Sequence, residues 1–216
     1  TNLSREHIES HGGFENYRQA KGELFKMAPL AILNGDDANF EYFYKISPGE
    51  KIVYVAGDYP TDLKLKISGE FNRMNAVAAM TFAKREGVPL EVSKRALEKI
   101  EILPGRMEFI ETGKNFKVLV DYAFLPQALK LAYGEAKKGS SGLVCVLGAA
   151  GGGRDKWKRP KLGDVAAQNC RKVFITNEDP YDEDPLKIMN EVAASHNFEK
   201  IFHRREAIRA ALKSAR

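Results

Sequence analysis

The chain has 216 residues, of which 44% are hydrophobic and 29% charged; this is enough apolar content for a packed core and rules out a disordered chain. No apolar run approaches membrane-span length, and the opening TNLSREHIESHGG lacks both the basic and the apolar parts of a secretory leader, so no membrane partner is expected. The net charge of +5 permits an anionic partner, but acidic and basic residues alternate along the chain. Phosphates on a small molecule account for that balance without nucleic acid.

In chain order, residues 4–26 read as a loop followed by a helix, with His7, His11, Asn16, Tyr17 and Lys21 clustered there. The neutral imidazole of His7 suits a metal and Lys21 offers an amine, although an exposed polar helix face accounts for both. LAILNGDD at 30–37 and KIVYVAG at 51–57 read as strands, and the polar–apolar alternation of DLKLKIS at 62–68 predicts a half-buried strand. GEFNRMNAVAAMTFAKREGVP is the clearest helix, stopped by Gly87 and Pro89. Asn72 and Asn75 share a face at its start, placed either to cap it or to hydrogen-bond a ligand base. Residues 92–100 form a further amphipathic helix, and LPGRMEFIE then turns into a strand, which puts a boundary near residue 103.

Strand and helix alternate through the second half: 117–121 then 125–137, 143–148 then 157–168, 173–176 then 185–194, and 200–202 then 204–216. That alternation predicts βαβ units and a mostly parallel, doubly wound sheet. Ligands in such sheets sit beyond the carboxyl ends of the strands. Asp121, the segment 148–155 and the segment 177–179 all fall there, so three polar segments are expected to converge. The central one, GAAGGGRDKWKRP, follows a buried strand. Gly148, Gly151, Gly152 and Gly153 allow positive φ and close approach, while Arg154, Lys156, Lys158 and Arg159 add fixed positive charge and Asp155 a carboxylate. Cys145 and Cys170 have neither metal nor redox spacing, which makes a reducing, cytoplasmic setting the default.

Taken in order, TNLSREHIESHG, NYRQAKGELF, GEFNRMNAVAA, LPGRME, DYAFLPQAL, GAAGGGRDKWKRP and TNEDPYDEDP resemble the Mur ligase family, most closely its branch that adds the third amino acid of the peptidoglycan stem peptide. The resemblance implies an α/β chain: the C-terminal half of a central ATPase domain at 1–103, then a Rossmann-like domain with a mostly parallel sheet at 104–216. The family's G-x-x-x-x-G-K-[ST] phosphate loop is absent here, so the resemblance places it upstream of Thr1 and implies that these residues alone do not turn over. The chain also stops before the family's late Gly-Lys-Gly-His-Glu-like segment. The implied reaction is ATP-dependent amide formation on UDP-N-acetylmuramoyl-dipeptide through an acyl phosphate, with ATP and Mg2+ as cofactors and an amino acid as second substrate. A monomer is expected.

The resemblance also implies roles. His7 and Lys21, the latter as a carbamate, would hold magnesium. Asn72 and Asn75 would contact adenine, and Arg106 and Asp121 the phosphates and ribose. Arg154 and Asp155 would lie near the incoming amino acid, whose specificity segment is Glu178, Asp179, Pro180 and Tyr181. Two positions depart from the family pattern. Phe124 replaces the histidine of Asp-Tyr-Ala-His-x-Pro and can neither donate nor titrate. Tyr181 replaces the arginine of Asp-Asn-Pro-Arg, which grips the distal carboxylate of diaminopimelate, so little preference for diaminopimelate is expected. Folylpolyglutamate or cyanophycin synthetases, or a noncatalytic nucleotide- or muropeptide-binding relative, are the alternatives; a nucleic-acid binder is supported only by the pI.

Overall fold

A computed structural model describes residues 2–215, which divide into two compact units with the boundary between Pro104 and Gly105. In the first unit, α1 (Ile8–His11) and α2 (Phe14–Met27) lead into β1 (Leu30–Asn34), α3 (Phe40–Ile46) and β2 (Glu50–Tyr54). The two strands run parallel, with Ile32 opposite Ile52. α4 (Glu70–Arg85) and α5 (Leu90–Glu98) complete the unit. Ala76, Val77 and Met80 recur at helical spacing on α4 and bury against Tyr54 and Leu63, so one apolar stripe fixes the helix against the strands. Gly87, at φ 79°, ends it.

One expectation for this unit needs correction, and one element lies outside every expectation. Residues 62–68 form no strand, although Leu63 is buried and Lys64 and Lys66 point outward as the alternation implied. The Lys64 N–H donates instead to Glu98 Oε1 at 3.2 Å, and Lys66 Nζ pairs with Glu101 Oε1 at 2.5 Å. Alternation therefore reports the buried face correctly, while Glu98 at the end of α5 takes the place of a ladder partner for the Lys64 N–H. The other difference is α3, which occupies an aromatic-rich stretch that local propensity does not favour as helix.

In the second unit, β3 (Glu108–Ile110) and β4 (Val118–Val120) are followed by α6 (Pro126–Ala136), β5 (Val144–Leu147), α7 (Lys158–Asn169), β6 (Lys172–Ile175), α8 (Pro185–Ala193), β7 (Glu199–Lys200) and α9 (Arg204–Ser214). β5, β6 and β7 form a parallel sheet in that order. β4 does not join it. It pairs antiparallel with β3, Phe109 opposite Leu119, which corrects the expectation that residues 117–121 feed the parallel sheet. The core lies between sheet and helices: Leu147, Val173 and Ile175 pack with Leu162 and Ala166 of α7 and Ile188 and Val192 of α8. α7 and α8 approach so closely that a Cβ on Gly163 would stand 2.0 Å from the Val192 carbonyl oxygen. Asp184 Oδ1 caps α8 by accepting the Leu186 N–H at 2.8 Å, ahead of Pro185 at the first helical position.

Cys145 in β5 and Cys170 at the end of α7 are joined as a disulfide. The pairing withdraws the compositional argument for a reducing compartment. Among the described residues no helix is long and apolar enough to cross a membrane.

Candidate functional site

The loop after β5 and the loop after β6 leave adjacent parallel strands at their carboxyl ends, and they touch. The Gly151 N–H donates to the Asp179 carbonyl at 2.8 Å. A Cβ would lie 2.9 Å from the Thr176 oxygen at Gly148, 2.2 Å from the Pro180 oxygen at Gly151, and 2.7 Å from the Tyr181 ring at Gly152. The glycines therefore divide by purpose: Gly152 and Gly153 adopt left-handed φ of 65° and 75°, whereas Gly148 and Gly151 are small because another backbone presses on them.

This contact gathers most of the expected acceptor residues. The Arg154 guanidinium lies 5.3 Å over the Tyr181 ring and donates from Nη1 to the Gly152 carbonyl at 3.3 Å; Arg154, Asp179 and Tyr181 are exposed and Asp155 is buried. Tyr181 holds a left-handed φ of 54°, a conformation that needs support from its surroundings in a residue with a side chain. Glu178 Oε2 is 3.5 Å from Nη2 of Arg204, which also donates to the Asn177 carbonyl. Arg204 went unnoticed in the sequence. Its signal was position, since it opens the helix after the next parallel strand.

Arg159 requires a correction. Read as one more free cation of the loop, it is fully buried. Its Nη2 donates to Glu183 Oε1 at 2.9 Å and its Nη1 to Glu183 Oε2 at 3.0 Å and Glu191 Oε2 at 2.6 Å. Nη2 also reaches the Ala150 carbonyl at 3.3 Å. The Arg159 hydrogen bonds draw the Glu183 carboxyl down to about 2, helped by Lys156 at 3.3 Å.

The hairpin end supplies a second cluster. Asp121 Oδ2 accepts the Met107 N–H and Oδ1 the Ala123 N–H, both at 2.8 Å, so one carboxylate ties together the two segments at the open end of the β3–β4 hairpin, where Met107 holds φ 48°. Arg106 lies 4.8 Å over Tyr122, whose ring stands 5.5 Å from that of Phe124. Lys158 Nζ sits 4.7 Å over Phe124. Of the three polar segments expected to converge, 148–155 and 177–179 meet directly. Asp121 lies off that sheet; after it, Ala123 packs on the core shared by β5 and α7, and Phe124 lies under Lys158 of α7.

In the first unit, His7, His11, Tyr17, Ala20 and Lys21 line one open pocket of about 370 Å³. His11 Nδ1 is 2.8 Å from the His7 carbonyl, and Lys21 Nζ lies 5.5 Å over Tyr17. Asn72 and Asn75 part company. Asn72 is buried and its Nδ2 donates to the Ser68 carbonyl at 2.6 Å, tying α4 to the segment before it, while Asn75 is exposed.

The model of the Mur ligase glutamate ligase domain matches residues 105–216, more than half of the chain, and that of the Mur ligase middle domain matches residues 1–58. The chain belongs to the Mur ligase family. This Mur ligase chain is 35% identical to a UDP-N-acetylmuramyl-tripeptide synthetase of Roseiflexus sp. (strain RS-1) over 90% of its own length and 46% of that protein's. It is 33% identical to the UDP-N-acetylmuramoyl-L-alanyl-D-glutamate–2,6-diaminopimelate ligase of Syntrophomonas wolfei, over 100% of its own length and 51% of that protein's. A folylpolyglutamate synthase of Mycobacterium tuberculosis, solved with ADP and AMPPCP, shares the fold at a TM-score of 0.77 and 16% identity, over 99% of this chain and 55% of that one. The Mur ligase chain thus spans about half the length of the curated relatives it matches.

The donor chemistry of the His7 pocket bears on the family's metal. Among the described residues no three His, Cys, Asp or Glu side chains stand together as a closed metal site. An imidazole and a lysine facing one open pocket fit magnesium that keeps most of its waters and its phosphate contacts, provided the lysine carries a carboxylate.

Proposed function

We propose that the chain belongs to an ATP-dependent ligase that joins an amino acid to UDP-N-acetylmuramoyl-dipeptide. The observation that carries the reading is the contact between the loops 148–155 and 178–181, in which the Gly151 N–H meets the Asp179 carbonyl and Arg154 lies over Tyr181, at the carboxyl ends of adjacent parallel strands. A guanidinium stacked on a ring keeps N–H groups free for a carboxylate, and a neighbouring carboxylate suits an ammonium group, so the pair matches an amino acid's two charges. In the reaction the peptide carboxylate takes the terminal phosphoryl group of ATP and releases ADP. The amine then attacks the acyl carbon, and the amide bond forms as phosphate leaves and the amine loses a proton.

His7 and Lys21, the lysine as a carbamate, would hold magnesium, which when bound neutralises charge on the transferring phosphoryl group. Asn75 is the exposed amide of its pair and is assigned to the nucleotide base, with Asn72 fixing the start of α4 beneath it. Arg106 is assigned to the phosphates and Asp121 to the ribose, which its unused lone pairs can meet while it holds the turn. Glu178 is assigned to the acceptor with Asp155, its charge shared with Arg204. ATP as phosphoryl donor fits a cytoplasmic setting and a soluble substrate.

ADP release by the whole protein, supplied with ATP, the UDP-linked dipeptide and lysine, diaminopimelate or another diamine, tests the reading. Arg154→Ala is expected to lower kcat/KM by roughly 30-fold, about 2 kcal/mol. ADP release that ignores the amino acid would overturn the assignment, and strong selectivity for diaminopimelate would overturn the reading of Tyr181.

A further inference from the structure

The sequence offers Arg159 as a cation for a ligand, yet its guanidinium is enclosed and spends its donors inside the protein. What it touches is informative. Ala150 belongs to the glycine-rich loop, Glu183 to the loop that carries Asp179 and Tyr181, and Glu191 to α8. Glu183 is bound on a second side, where its own N–H donates to the Pro180 carbonyl at 3.0 Å. The same Pro180 carbonyl is the group against which Gly151 is pressed. One side chain thus joins both loops to the helical layer, a short path from the exposed Arg154–Tyr181 pair.

A purely stabilising role explains this arrangement poorly. Buried ion pairs return little net stability against the cost of desolvating both charges, and an apolar side chain of similar volume does as well or better. Among the described residues the Arg159 Nε has no hydrogen-bond partner, so the two Nη groups carry the whole contact. What the bidentate geometry supplies is direction. Two parallel N–H···O bonds fix the plane of the Glu183 carboxylate and with it the path of residues 180–183.

We propose that Arg159 is a positioning residue that holds the two loops in register, so that Arg154 and Tyr181 meet a ligand as one preset face. The ligand's identity rests on the function proposed above; the register of the loops does not. Arg159 contacts no reacting atom in this role and acts through Glu183 and Ala150. Loosening it frees the loops while leaving the sheet beneath them intact.

Amide hydrogen exchange on this chain tests the register directly. Arg159→Lys keeps the charge and loses the two-pronged contact; Glu183→Gln removes the same contact from the other side. Both are expected to speed exchange at Gly151 and Glu183 at least tenfold beyond any acceleration at Val173, Phe174 and Ile175 of β6, whose exchange follows the global stability alone. Uniform acceleration that includes β6, or failure of both variants to fold, makes Arg159 a structural residue and overturns the proposal, as does unchanged exchange at Gly151. In the whole protein, Arg159→Lys is expected to raise KM for the amino acid at least tenfold with KM for ATP within twofold. An equal loss in kcat with both KM values unchanged would contradict it. Should the native protein show no ligase activity, the function falls and the exchange result alone decides the register.

Discussion

Replacing Gly151 by alanine isolates close approach from backbone freedom. The residue is outside the left-handed region, so alanine is conformationally permitted and by itself would restrict the unfolded chain to advantage. Its Cβ, however, would lie 2.2 Å from the Pro180 oxygen and 3.1 Å from Glu183 Oε1. The second loop must withdraw by about 1 Å to restore ordinary contact. The hydrogen bond from Gly151 to Asp179 is then lost, at a cost of about 1 kcal/mol, and overpacking adds roughly 1–3 kcal/mol, so about 2–4 kcal/mol is expected in all. Gly153→Ala is the control: at φ 75° with nothing within 4 Å of its Cβ, it costs only left-handed strain of about 1–2 kcal/mol. Trp157 is the only tryptophan of the chain and lies in the second unit, so its fluorescence in urea reports on that unit. A midpoint lower by roughly 1–2 M is expected for Gly151→Ala, with a smaller shift for Gly153→Ala. If Gly151→Ala proves no less stable than Gly153→Ala, contact does not set the size of residue 151 and the account of the two loops is wrong.

Gly163→Ala should destabilise the protein even though alanine favours helix by about 1 kcal/mol, because its Cβ meets the Val192 carbonyl at 2.0 Å; a net loss of about 1–3 kcal/mol in thermal unfolding is expected, and a gain would show that α7 and α8 are further apart. Glu183 gives a pH dependence of known sign. Its folded value lies near 2, below the ordinary 4.5, so the stability it contributes is complete above that ordinary value and fades as pH falls toward the lower one. Glu183→Gln removes this contribution, so unfolding followed by Trp157 fluorescence should show native and variant far apart at pH 5 and drawing together as pH falls. Curves that stay parallel through that window would contradict the Arg159 pairing.

Local pattern went a long way in this chain. The helical spacing of Ala76, Val77 and Met80, the apolar run before Gly148 and the Pro–Asp cap of α8 each act within a few residues, and each element formed where its pattern lay. The parallel order of β5, β6 and β7 was legible from strand–helix alternation, since a right-handed crossover leaves little choice. So was the meeting of the two glycine- and acid-rich segments at the ends of adjacent strands. The pocket around His7 and Lys21 was legible only as a cluster of polar residues on a loop and the helix after it, where the structure has two helices, α1 and α2.

What tertiary structure alone decided are the pairings made across long stretches of chain. Leu63 and Leu65 alternate like a strand, yet their segment pairs with neither β1 nor β2, and Glu98 takes the Lys64 N–H instead. β4 could have joined the parallel sheet but found β3 in a hairpin. Arg159 looked like its basic neighbours until Glu183 of the loop before α8 and Glu191 of α8 neutralised it, and Cys145 acquired its partner only when α7 folded back along β5. Residue type and spacing determine which groups need a partner and which face must be buried. Which partner answers is settled by what the packed layers bring within a few ångströms, because a buried charge or backbone donor is stable only beside the group that satisfies it.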